Sequence, residues 1–300
     1  MSRVPERPPL TSVEARLDAL ANRVLAASPA TGARARLVEF AVFVLKQAWA
    51  CVFGATFLAV VLAAKLWYPA DAALARNDAL TIAAILIQVV MVVGRLETLR
   101  ELRVIVTFHI VGTVMELFKT DVGSWAYAAD GILRLGGVPL YSGFMYAAVG
   151  SYLVRVYRLF DLRFARYPRP WLTAVVAVLI YLNFFTHHWI VDLRWLLIAA
   201  VIVLWGRTTM HFRFFRGRFR MPILLAFAGV AVFIWLAENI ATYAGAWLYP
   251  SQVGQWHPVD ASKLTSWFLL MIVSVVLVTW VYPPREPDRT PQAATGDIVG

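Results

Sequence analysis

The chain has 300 residues, 60% of them hydrophobic and only 15% charged, with a mean hydropathy of +0.67. A soluble domain carries about a quarter charged residues, so this composition excludes an ordinary soluble globule. The net charge of +10 invites a nucleic-acid reading, but the basic residues are spread between apolar runs instead of gathered in one stripe, which argues against nucleic acid as a partner.

Residues 1–36 are polar and arginine-bearing and read as a cytoplasmic tail without a cleavable signal. Within it, Thr11 and Glu14 have capping-box spacing. Val13, Leu17, Leu20 and Val24 recur at helical spacing, so an interfacial helix lying on the membrane surface is expected. Residues 37–283 read as a polytopic membrane domain. Eight apolar segments, at 40–64, 79–96, 102–120, 138–159, 171–188, 193–210, 221–243 and 264–282, have the length of transmembrane helices. The alternation of a β-barrel is absent, which leaves helices as the way to satisfy the backbone in lipid. The predicted fold is therefore all-α and integral to the membrane. Cys51, the single cysteine, lies in the first run and reads as a small hydrophobe. Residues 284–300, with proline and threonine and no apolar period, are expected to form a disordered cytoplasmic tail.

Orientation follows from the basic residues. The N-terminal tail, the turn at 94–103, the loops at 155–169 and 207–220 and the C-terminal tail carry 21 Lys/Arg, whereas the connections on the other face carry six. The asymmetry places both termini in the cytoplasm. It makes anionic lipid heads the expected partners of the arginine-rich loops, FRFFRGRFR at 212–220 above all.

Two stretches repeat. MELFKTDVGSWAY (115–127) and AENIATYAGAWLY (237–249) both contain E-x8-W-x-Y at the end of a span, and each is followed by a span opening with serine and phenylalanine, Ser142 and Phe144, then Ser266 and Phe268. The acids, Glu116 and Glu238, are 122 residues and four spans apart. An even number of spans preserves orientation, so the pattern predicts a parallel duplication of a four-helix unit, residues 40–160 and 171–282.

An ionisable group in a span costs about 2.5–3.5 kcal/mol and needs a partner. Glu116, Glu238, Asn239, Asn183, His187, His188, Ser142 and Tyr146 fall in the half of the spans facing away from the basic loops, His109 sits two turns before Glu116, and Trp125 and Trp247 follow in the outer loops. They predict one polar pocket there. Glu116 has Lys119 and His109 as candidate ion partners, and Glu238 has Lys263 and Arg194. If a metal binds, His187, His188 and Asp192 are its candidate ligands, although no H-E-x-x-H pair is present. No nucleophile elbow surrounds Ser142 or Ser266, and no cofactor is indicated. A carboxylic acid kept from water retains its proton more readily and can donate it to a weak base, such as a carbon–carbon double bond. The sequence leaves three functions open: an acid–base enzyme acting on an isoprenoid or other membrane-soluble lipid, a proton-coupled transporter, and a non-catalytic scaffold. In the first, Glu116 is the acid and Glu238 or His109 its partner, and the substrate is a hydrophobic small molecule.

The strings MELFKTDVGSWAY, GVPLYSGFMYAAVGSYLVR, IYLNFFTHH, RMPILL and KLTSWFLLMIVS resemble the bacterial integral membrane family known as domain of unknown function number 817, over about residues 90–285. The resemblance implies a multi-pass protein of the bacterial inner membrane and no activity. Glu116, Gly123, Tyr127 and Gly137-Val138-Pro139 are also similar to the arrangement in carotenoid hydratases, with their kin the small lycopene cyclases. That similarity implies acid–base chemistry at Glu116. The second repeat keeps Glu238, Gly245 and Tyr249 without the G-x-P.

Overall fold

A computed structural model describes residues 10–28, 31–213 and 218–287. Helix α1 (Ser12–Ala26) starts with the expected capping box: the Thr11 hydroxyl accepts from the Glu14 amide, and the Glu14 carboxylate accepts from the Thr11 amide. The chain then runs through α2 (Ala33–Ala50), α3 (Val52–Trp67), α4 (Arg76–Val93), α5 (Leu99–Asp121), α6 (Tyr141–Leu159), α7 (Pro170–Thr186), α8 (Arg194–Trp205), α9 (Ile223–Tyr243) and α10 (Lys263–Val281). Helix α6 is central, packing against α2, α3, α4, α5 and α10.

The fold is mostly helical but not purely so. Short strands β1 (Arg134–Leu135) and β2 (Val138–Pro139) pair in the α5–α6 connection. Strands β3 (Arg163–Ala165), β4 (Thr209–Arg213) and β5 (Arg218–Pro222) form an antiparallel sheet in that order. The basic-aromatic string at 212–220, expected as a lipid-contacting loop, belongs to the β4–β5 hairpin, with residues 214–217 outside the described part. Aromatic and arginine residues alternate there, which is a strand period.

Helices stand where the eight spans were expected, yet only α4, α9 and α10 are each long and apolar enough to cross a membrane. Eight membrane-competent helices are therefore not borne out, and the reasons are local. The expected span 40–64 breaks at Cys51, where α2 and α3 meet at a bend of 69° and count at most as a fourth span together. Lys46 lies on α2 and pairs with Asp18 on α1 at 2.6 Å, which ties this half of the run to the N-terminal helix. Helix α5 carries Arg100, Glu101, Arg103, Glu116 and Lys119, and α6 carries Arg155 and Arg158. Helices α7 and α8 are apolar but shorter, with 17 and 12 residues; α8 stops at Trp205 because the chain turns into β4.

At the N-terminus, α1 buries Glu14, Ala21 and Leu25 against the bundle, while Leu20 and Val24 of the apolar stripe face outward. At the other end, Arg285 is buried; its guanidinium reaches Asp161 at 2.8 Å and donates to the Leu162 carbonyl. The remainder of the expected disordered tail, residues 288–300, lies outside the described residues.

The two repeated stretches end their helices identically. Gly123 and Gly245 adopt φ of +72° and +71°, the left-handed conformation that ends a helix. The Ser124 amide donates to the Lys119 carbonyl at 2.8 Å, and the Ala246 amide to the Ala241 carbonyl at 2.9 Å. Shifted by the same 122 residues that separate Glu116 from Glu238, Tyr141–Leu159 falls on Lys263–Val281, the bounds of α6 and α10.

Candidate functional site

Each helix-terminating glycine turns the chain back so that the tyrosine after it returns to the acid on the preceding helix, joined in the first unit by the tryptophan. Glu116 is buried on α5, and its Oε2 accepts from the Trp125 indole and the Tyr127 hydroxyl, both at 2.7 Å. Tyr146, on α6, donates to Oε1 at 2.6 Å. Tyr146 can approach because Gly112 leaves room: a Cβ there would lie 2.4 Å from the Tyr146 ring. Glu238 is buried on α9 and accepts from the Tyr249 hydroxyl at 2.5 Å and the Trp267 indole, on α10, at 2.7 Å. Burial first, then the neighbouring carboxylate, holds the phenols of Tyr127 and Tyr249 well above their usual range, so both keep their protons and act as donors.

The two centres interlock. Ala126, between Trp125 and Tyr127, exchanges both backbone hydrogen bonds with Leu248, between Trp247 and Tyr249, at 3.0 and 2.9 Å. The rings of Trp125 and Tyr249 meet edge to face at 6.0 Å between centroids. Further braces cross from α4 and α6. Arg76 donates to the Ala244 and Gly245 carbonyls at 2.7 and 3.0 Å, and Tyr141 to the Ala246 carbonyl at 2.5 Å. Asp78 accepts from the amides of Ile132 and Leu133, and Asn77 donates to the Ala128 carbonyl. Beneath the acids a cavity of ≈ 40 Å³ is walled mainly by apolar residues of α5, α6, α7, α9 and α10. Its lining includes Tyr146 and Trp267, one donor to each acid.

Among the described residues none of the expected partners lies at ion-pair distance from the acids, although the charge of Lys263 reaches Glu238. His109, two turns before Glu116, packs against Phe144 with ring centroids 4.8 Å apart, over the gap left by Gly143. Lys119 faces His188, Nζ to Nε2 at 2.9 Å. Lys263 sits over the Tyr249 ring at 4.3 Å, and Arg194 pairs with Asp192 at 3.2 Å. Asn183 donates to Asp192 at 3.0 Å and accepts from the Leu193 amide, shaping the α7–α8 turn. Asn239 donates to the Trp235 carbonyl and accepts from the Val259 amide. Ser142 is fully buried, and its hydroxyl has no hydrogen-bond partner among the described residues. Trp247 packs against the Ala244–Ala246 turn, and the indole on Glu238 comes instead from Trp267. Among the described residues no group of three or more His, Cys, Asp or Glu could hold a metal. Asp192 is committed to Asn183 and Arg194, and His188 to Lys119.

Sequence reasoning missed Trp267, although it stands between the flagged Ser266 and Phe268. It missed Arg76-Asn77-Asp78, a polar triplet at the head of an apolar run. It also missed that Arg155 and Arg158 are buried, where a count of basic loop residues assumes they are solvated.

A mostly helical chain with membrane-competent helices and two buried carboxylates caged by tyrosine and tryptophan defines the class: a helical membrane-type protein with a paired-acid aromatic centre. Residues 39–275 match the family described as protein of unknown function (DUF817), and the chain belongs to it. It is 42% identical over 245 residues to "Uncharacterized protein YoaT" of Bacillus subtilis (strain 168), covering 82% of this chain and 92% of that one. A crystal structure of a cross-linked MvINS trimer matches 62% of this chain and 95% of its own at 15% identity, with a TM-score of 0.44.

Proposed function

We propose that the chain is a multi-pass inner-membrane protein of two related four-helix units, with both termini cytoplasmic. Its centre does acid–base chemistry on an isoprenoid or another membrane-soluble lipid in the outer leaflet half. The topology is supported by the split of 21 against six basic residues and by the matched helix ends at Gly123 and Gly245.

The chemistry rests on one observation: Tyr146 and Trp267, donors to the two acids, line the same apolar cavity. In this reading the Tyr146 hydroxyl meets the substrate and Glu116 behind it returns or removes the proton. Glu238 has an indole where Glu116 has that phenol. Since an indole N–H does not relay a proton, Glu238 fixes the cavity wall. Substrate entry requires the helices to part, because ≈ 40 Å³ is far below the roughly 300–1,000 Å³ of a small-molecule pocket. Lipid extracts from cells making the wild-type protein, Glu116→Gln and Tyr146→Phe test the reading. One lipid species should be formed by wild type and lost in both variants; three identical profiles sink it.

The same small volume, room for about one to three waters, favours a proton-coupled permease as the second reading. Proteoliposomes carrying an internal pH dye separate the two, since a permease acidifies the lumen after a pH jump in a Glu116-dependent manner.

A further inference from the structure

At the end of the bundle where α7 gives way to α8 and α9 to α10, two lysines lie near Arg194, and only the arginine has an ion-pair partner among the described residues. Lys119, on the last turn of α5, is buried, with 3% of its surface exposed. Its ammonium faces the Nε2 of His188 at 2.9 Å and lies over the Phe184 ring at 4.5 Å. Lys263 is half-buried against the rings of Tyr249 and Trp125. Neither lysine has a carboxylate at ion-pair distance among the described residues; Arg194 lies within electrostatic reach of both, as do Asp192 for Lys119 and Glu238 and Asp260 for Lys263.

The acids in the neighbourhood are engaged elsewhere. Asp192 is paired with Arg194 and hydrogen-bonded to Asn183. Asp260 accepts from the Ser262 amide at 2.8 Å at the exposed start of α10. Glu116 and Glu238 take their indole and phenol donors below. His187 and His188 stack at 4.2 Å, and His187 Nδ1 lies 2.9 Å from the Asn183 carbonyl.

Two further details have the same sign. Arg194 is the first residue of α8 and Lys263 the first of α10. Helix N-termini favour acids and repel cations, because their free amides carry partial positive charge. A fold that opens two adjacent helices with cations, close to a buried ammonium that is hydrogen-bonded to His188, gathers like charge. An anion relieves all of it at once.

We propose that this cluster is a phosphate site: Lys119, Lys263 and Arg194, with His188 at its mouth, bind a phosphomonoester or diphosphate group. Two lysines without carboxylates match the charge of a dianion, and an ammonium is a suitable point charge for phosphate. His188, whose Nε2 accepts from Lys119, keeps its Nδ1–H as a donor at the exposed side. The group is carried either by a lipid head or by a free anion. The proposal does not depend on the acid–base reading of Glu116, since the site would serve any function of the centre below it.

The test uses the full chain in detergent, with melting followed at constant ionic strength in chloride, inorganic phosphate and inorganic diphosphate. A second arm uses nanodiscs of phosphatidylcholine with and without phosphatidate. Stabilisation by phosphate or diphosphate in detergent indicates a free anion, and stabilisation by phosphatidate alone indicates a lipid head. Lys119→Gln and Lys263→Gln should each weaken the response roughly tenfold, the weight of a charge-assisted contact, while the exposed Arg103→Gln leaves it unchanged. Lys119→Gln should also melt no lower than wild type without anion, because the amide keeps a donor for His188 Nε2 while removing the charge that Lys263 and Arg194 repel; a lysine held for its charge alone would show the reverse. If Lys119→Gln fails to fold, Lys263→Gln alone decides. Phosphate responses equal to wild type in the lysine variants, or no response to any of the anions in wild type, overturn the proposal.

Discussion

A carboxylate offers about four acceptor sites, and Glu116 fills three of them from two directions: Trp125 and Tyr127 on one oxygen, Tyr146 on the other. The arrangement tells an amide from an acid. In Glu116→Gln one oxygen becomes an NH2 group: on the Oε2 side it meets the Trp125 indole, which cannot accept, whereas on the Oε1 side the Tyr146 hydroxyl can turn to accept from it. A buried donor left unsatisfied costs about 1–3 kcal/mol, more beside charge. Glu116→Gln should therefore destabilise by about 2–4 kcal/mol if Oε2 is the lost acceptor. Glu238→Gln, which has two donors to satisfy, should cost less. Tyr127→Phe removes a single bond and should cost about 1.5–3 kcal/mol. Combined with Glu116→Gln it should add much less than its own single cost, because the two share one interaction. Thermal melts of the four variants in detergent check this order. Full additivity of Glu116→Gln and Tyr127→Phe would show that the hydroxyl does not hold the acid.

Packing between elements puts those donors in place, and the glycines on α5 and α6 control it. A Cβ on Gly143 would lie 2.5 Å from the His109 ring, and one on Gly150 would lie 2.9 Å from the Phe108 ring. Gly143→Ala should then cost about 1–3 kcal/mol through overpacking. Gly229→Ala, on α9 with nothing within 4 Å of the new carbon, should gain about 0.5–1 kcal/mol from helix propensity. The opposite signs, read as melting shifts, make the pair self-controlled; a loss of stability in both would point to helix ends or lipid contacts instead. This scale also shows what the sequence made legible. Apolar period and run length marked where the helices lie, with α2 and α3 read as one, and the E-x8-W-x-Y repeat marked both acids, because those signals are local. Trp267 and Tyr146 as donors, and the bend at Cys51, depend on which helix lies opposite, which no single stretch encodes. The β4–β5 hairpin was hidden because arginine in a basic-aromatic string reads equally well as a lipid-facing loop.

Across the whole molecule, the aromatic acid centre at one end of α5 and α6 is matched by an ionic one at the other. Arg158 pairs with Glu14 of α1 and Glu101 of α5, while Arg155 pairs with Glu97 and lies near Ser151. All five charged groups have relative exposures of 5% or less. The N-terminal helix is thus held to the bundle by a buried ionic link as well as by Ala21 and Leu25. Such links are costly to break from one side, since the stranded partner remains desolvated, by about 3–5 kcal/mol. They contribute little when the whole set is exchanged for neutral groups. Glutamine at Glu14 or Glu101 preserves the capping boxes that both residues close, so the charge can be removed without losing the caps. Glu14→Gln leaves Arg158 balanced by Glu101 and should cost about 1 kcal/mol, one net hydrogen bond. Arg158→Met strands two carboxylates and should cost about 3–5 kcal/mol. Adding Glu14→Gln and Glu101→Gln to Arg158→Met should then recover more than half of that loss, as read from melting midpoints. A triple variant no more stable than Arg158→Met would show that the arginine acts through its packing volume, and that α1 is held by its apolar contacts alone.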